Sequence, residues 1–122
     1  FSFSTEDFEF FLLPHGRGKT LGIRHSKMAY IIDCHEIPQE TIQKLRLAKL
    51  EVLIIDCVQP GQHPSHLNIT KCFDYIEQIS PKQAFLTHMN HEFSHEELKK
   101  TARKHFSFPV EPAYDGLQLK YY

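Results

Sequence analysis

Three residues stand where short apolar runs end. His15 follows Leu12-Leu13-Pro14, Asp33 follows Tyr30-Ile31-Ile32, and His88 follows Phe85-Leu86-Thr87. A neutral imidazole and a carboxylate are the ligand types that hold zinc, manganese or iron while leaving a position open for water. Water so held is acidified to a hydroxide nucleophile, the reagent of metal-assisted hydrolysis. The chain has nine histidines among 122 residues, and histidine is the commonest metal ligand. Taken singly, each of the three is as easily explained by a bond to nearby backbone; their shared position after buried sequence is what groups them.

The elements that must position them follow from periodicity. Aromatic and polar residues alternate over residues 1–13, the pattern of one or two half-buried strands, with Pro14 ending the run and residues 15–19 forming a loop. A short extended piece over 21–24, a turn at 25–27 and a strand at 28–32 follow. Pro38 suits the first turn of a helix that continues through Lys49, with Ile42, Leu45, Leu47 and Leu50 on its apolar face. The continuous apolar run Val52-Leu53-Ile54-Ile55 before Asp56 reads as a strand buried on both faces. Ile69, Cys72, Phe73, Ile76 and Ile79 recur at helical spacing over 67–79, with Pro81 as a stop. Ala84-Phe85-Leu86 is a short strand, and Ser94 with Glu97 forms a capping box for a helix to His105. Strands near 108–110 and 117–121 close the chain. Alternating strands and helices imply crossovers and a mostly parallel sheet, in which sites form at the carboxyl ends of strands. Asp33, Asp56 and His88 fall there.

Composition excludes several classes. A net charge of -1 offers no excess of cations for a phosphate backbone, so long nucleic acid is not a partner. The longest apolar runs fall well short of the roughly 20 residues that span a bilayer. Three cysteines without paired spacing point to reduced thiols and a cytoplasmic address, with Cys34 and Cys57 as small buried hydrophobes. The chain opens on Phe1, so the start of translation is expected upstream.

The order and spacing of six stretches carry a resemblance. They are Leu13-Pro14-His15-Gly16 with Leu21-Gly22; Met28-Ala29-Tyr30-Ile31-Ile32-Asp33 with Ile37-Pro38; Val52-Leu53-Ile54-Ile55-Asp56-Cys57; His63-Pro64-Ser65-His66-Leu67-Asn68; Leu86-Thr87-His88-Met89-Asn90-His91; and Ala113-Tyr114-Asp115-Gly116-Leu117. Over nearly its whole length the chain resembles the metallo-β-lactamase-fold hydrolases, in the branch of the phosphoribosyl cyclic phosphate phosphodiesterases. The resemblance implies an α/β fold, the C-terminal half of an αββα sandwich, with residues 1–122 as one partial domain. It implies His15 and His88 as ligands of two divalent metal ions, zinc or manganese, with Asp33 bridging them. It implies His66 over the open face, protonating a leaving oxygen or holding a substrate phosphate. Asp56, His91 and Asp115 are candidates for orienting those ligands, against plainer readings as a strand-end cap, a loop residue and a turn. His25, His35, His63, His95 and His105 have no assigned role and are expected at the solvated surface.

The family's His-x-His-x-Asp-His string is absent from this chain. Two ligands would remain for each metal, so metal binding by these 122 residues alone is expected to be weak or lacking. The absent segment also builds about half of the two facing sheets, which predicts an exposed sheet face covered by the missing N-terminal half or by a second copy. The parent protein is expected to be a phosphodiesterase acting on a small phosphate ester. Two alternatives are a non-catalytic binding module on a degenerate half-fold, and an open flavodoxin-like domain with Asp33 and Asp56 in an acidic pocket.

Overall fold

A computed structural model describes residues 2–5, 8–57, 69–87 and 95–121. Its strands are β1 (Ser2–Thr5), β2 (Phe8–His15), β3 (Gly18–His25), β4 (Met28–Ile31), β5 (Val52–Asp56), β6 (Gln83–Thr87) and β7 (Val110–Pro112). The helices α1 (Gln39–Leu47), α2 (Ile69–Ile79) and α3 (His95–His105) lie between the later strands. The seven strands form one sheet in sequence order. β1 to β4 pair antiparallel, and β4 to β7 pair parallel. That mixed, sequential order excludes the flavodoxin-like alternative, whose sheet is parallel and reverses at a switch point.

The parallel half needs crossovers, and right-handed crossovers advancing in one direction put all three helices on one face. The core lies there. Phe11, Leu13, Ala29, Ile31, Leu53, Ile55, Ala84 and Leu86 alternate along their strands toward it and meet Ile42 and Leu45 of α1, Cys72 and Ile76 of α2, and Leu98 and Ala102 of α3. Each fully buried Leu or Ile contributes about 1.5–3 kcal/mol relative to exposure. Gly22 belongs to this face because a Cβ there would lie 2.7 Å from Ile31 Cδ1 and 2.9 Å from Leu13 Cδ1.

The opposite face carries a row of Phe10, Ile23, Tyr30, Ile54 and Phe85, aligned by the strand register. On this side Tyr30 is 40% and Phe8 43% exposed. The C-terminal residues cross toward it, with Tyr121 Oη 2.7 Å from His25 Nδ1 and Phe8 packed on His25 with ring centroids 4.5 Å apart.

Four expectations need correction. Pro14 does not end its strand: β2 runs on to His15, paired Pro14 with Lys19. Among the described residues β1 pairs β2 as far as Phe11, and the rest of β2, Pro14 included, is held on its β3 side. The loop expected over 15–19 shrinks to a two-residue turn, with Gly16 at φ 57 absorbing the reversal. The final strand before the tail is β7 over 110–112, two residues later than the periodicity suggests. Residues 117–121 form no strand, and the contact described between this segment and the sheet face is that of Tyr121 with His25.

Candidate functional site at the carboxyl ends of the strands

His15 closes β2 opposite Gly18, half-buried at the corner where the hairpin turns. The corner is tied to the segment after β4 by two bonds. The His35 backbone N–H donates to Pro14 O at 3.1 Å, and the Gly16 N–H donates to His35 Nδ1 at 3.2 Å. Asp33 lies two residues before that tie, at φ 56, a left-handed conformation tolerated better by Asp and Asn than by other side chains. The turn there is what brings residues 33–35 back to the corner.

The same segment is tied to the next strand. The Cys34 N–H donates to Asp56 Oδ2 at 3.3 Å, with Asp56 fully buried at the end of β5. Asp56 pairs in register with Thr87, the residue before His88, and Cys57 N–H donates to Thr87 O at 2.9 Å. Ala113 N–H donates to Leu86 O at 2.8 Å, carrying the series to the end of β7. Helix α2 braces the loop from beside: Lys71 Nζ donates to His35 O at 3.4 Å, and the Ile37 N–H donates to the Tyr75 hydroxyl oxygen.

Of the residues singled out by sequence, His15, Asp33 and Asp56 are thus gathered at one end of the sheet by backbone and side-chain bonds. Asp115 sits exposed in the turn with Gly116, whose φ is 88. His66, His88 and His91 lie outside the described residues. Two histidines expected at the surface are structural: His35 holds the corner, and His25 is half-buried between Phe8 and Tyr121. His105 is exposed as expected, 3.6 Å from Glu77. Nothing in the local pattern around His35 distinguishes it, since its partners come from 19 residues earlier in the chain.

Beneath this end sit all three cysteines, free and buried. Burial pushes the Cys34 thiol up to about 12, helped by the negative charges of Asp56 and Asp33, while the Glu36 backbone N–H opposes the rise. Burial raises Cys72 as well, followed by its hydrogen bond with Cys57. The Cys34 and Cys72 thiols stay protonated, and the burial of Cys34 and Cys57 agrees with their sequence reading as small buried hydrophobes.

A sequence model described as "Beta-lactamase superfamily domain" matches residues 1–89. The chain belongs to that superfamily. Among solved structures of this metallo-β-lactamase fold, a diphosphatase of the PhnP family superposes with a TM-score of 0.84 at 25% identity, over 99% of this chain and 46% of its own. The metallo-β-lactamase fold protein YhfI from Bacillus subtilis gives 0.76 at 21% identity, over 95% of this chain and 51% of its own. In sequence, an octanoyltransferase of Porphyromonas gingivalis is 31% identical over 107 residues, 87% of this chain and 21% of that protein. The chain therefore spans about half or less of the relatives it matches.

As a test for a divalent ion, the donor chemistry fits in type: an imidazole and carboxylates stand at the strand ends, the position where this class of sheet builds sites. Among the described residues no group of three or more His, Cys, Asp or Glu side chains could hold a metal by itself. The set would need donors from outside those residues.

Proposed function

We propose that the whole protein is a metal-dependent hydrolase of small phosphate esters, with its site at the carboxyl ends of β4, β5 and β6. The observation that supports this reading is the line of ties from Pro14 and Gly16, on either side of His15, through residues 34–35 and Asp56 to Thr87, which precedes His88 in the chain. In this proposal His15, Asp33 and His88 hold two divalent ions, zinc or manganese, with Asp33 shared between them. When bound, the ions supply Lewis acidity, which acidifies water and offsets charge on the phosphorus oxygens. Asp56 fixes the backbone at Cys34, so the carboxylate next to it in the chain keeps its direction. His66 protonates the leaving oxygen or grips the substrate phosphate, and His91 and Asp115 orient the ligand imidazoles.

The likeness to a diphosphatase supports phosphorus chemistry. The likeness to an octanoyltransferase favours a second reading, in which the ester attacked is an acyl ester or thioester. The apolar row from Phe10 to Phe85 supports a cover formed by the remaining half of the protein or by a second copy. Three free thiols suit a reducing, cytoplasmic setting, and no helix among the described residues is long and apolar enough to cross a membrane.

The test is metal analysis of the full-length gene product beside this 122-residue chain. It is joined to rates on bis(p-nitrophenyl) phosphate, a nucleoside diphosphate and an octanoyl thioester. The full-length protein should carry metal and cleave the phosphodiester, and the short chain should do neither. Asp33→Ala should remove both properties more completely than His15→Ala or His88→Ala. Thioester cleavage alone would favour the acyl reading, and a full-length protein without metal or hydrolysis would leave the non-catalytic binding module.

A further inference from the structure

Resting on that hydrolase reading, we propose that His35 is the positioning residue that holds the His15 corner against the Asp33 loop, setting two donors, one at the end of β2 and one just past β4, at one separation. His35 makes three contacts, and two of them use only its backbone: its N–H to Pro14 O and its carbonyl to Lys71 Nζ. Any residue at position 35 would keep those. The third, Gly16 N–H to Nδ1 at 3.2 Å, depends on the side chain. It reaches the residue directly after His15, in the two-residue turn of the hairpin. Gly16 is exposed and at φ 57, so water can replace the lost acceptor at little cost to the fold. What water does not replace is the direction: a fixed acceptor on one strand end pins the turn of another.

The expected signature is therefore a loss of metal affinity without a loss of stability. Groups that orient metal ligands through hydrogen bonds typically change affinity by roughly 10–100-fold when removed. His35→Ala in the full-length protein should weaken zinc binding in that range, measured by competition with a chromophoric chelator after the metal has been stripped. The melting temperature of the metal-free protein should stay where it was. His35→Asn is the rescue: its Oδ1 sits at the distance from the backbone that Nδ1 occupies and accepts the same Gly16 N–H, so zinc affinity should return most of the way. His35→Gln sets its acceptor one methylene farther out and should not rescue.

Zinc affinity unchanged in His35→Ala, with a wild-type protein that binds zinc and hydrolyses the phosphodiester, overturns the positioning role while leaving the hydrolase reading standing. An Asn variant as weak as the Ala variant overturns it too, because the imidazole would then be acting other than as an acceptor for Gly16. A metal-free Ala variant that melts well below wild type assigns His35 to the fold and not to the site, and also overturns it. A wild-type protein that neither binds zinc nor hydrolyses the ester sinks the functional reading itself.

Discussion

Gly22→Ala tests how tightly the two donor-bearing strands are packed. The added methyl would lie 2.7 Å from Ile31 Cδ1 and 2.9 Å from Leu13 Cδ1, against a favourable carbon separation of about 3.5–4.0 Å. Both neighbours are fully buried, so neither tip can swing into solvent. Overpacking of this kind costs about 1–3 kcal/mol, and the stiffer unfolded chain returns about 0.4–1 kcal/mol, leaving a net loss of roughly 1–2 kcal/mol. Ile31→Val deletes the Cδ1 that is struck first, at a cost of about 0.5–1.5 kcal/mol alone. In the double variant the new methyl enters the space that Cδ1 left. The double should then be less destabilised than the sum of the singles by about 0.5–2 kcal/mol. Urea unfolding of the full-length protein, with the slope unchanged, measures all four corners of the cycle. Leu13 and Ile31 each stand two residues before a proposed donor, so hydrolysis should fall in Gly22→Ala and recover in the double. Strict additivity, or a stability loss too small to measure in Gly22→Ala, would refute the packing argument.

Three further outcomes follow from the buried end of the sheet. Cys34 ionises near 12 in the folded chain against 9.0 ordinarily, so the folded state holds its proton more tightly than the unfolded one. That contribution is fully present below pH 9 and is lost as pH rises through about 12. Its upper scale is about 4 kcal/mol, at about 1.4 kcal/mol per pH unit. Denaturant midpoints should decline across that alkaline window, and iodoacetamide at pH 8 should label Cys34 and Cys72 only after unfolding; fast labelling of the native protein would contradict the burial. Asp56→Ala strands the Cys34 N–H in a dry site and should cost about 1–3 kcal/mol, while Asp56→Asn keeps an acceptor and should cost clearly less, as read by thermal melts.

The elements were legible because burial imposes period. The run at 52–55, the helical spacing from Ile69 to Ile79 and the strand at 84–86 each appear where the pattern put them, within two residues. Strand-end positions for His15, Asp33 and Asp56 followed from the same reasoning. What the sequence left hidden depends on partners distant in the chain. Pro14 stays in a strand through its pairing with Lys19, across a hairpin that local composition reads as a loop. His35 gains its role from a hairpin corner 19 residues earlier, and His25 from a tyrosine 96 residues later. The terminal residues alternate in burial like a strand, yet they pair with no strand among the described residues.

The sequential strand order has a kinetic side. Every strand pairs with the one made immediately before it, so as the chain leaves the ribosome each new strand finds its neighbour already laid down. Contacts between near segments close small loops and form fast. The contact between Tyr121 and His25 is the opposite case, spanning nearly the whole chain, and must be among the last to close.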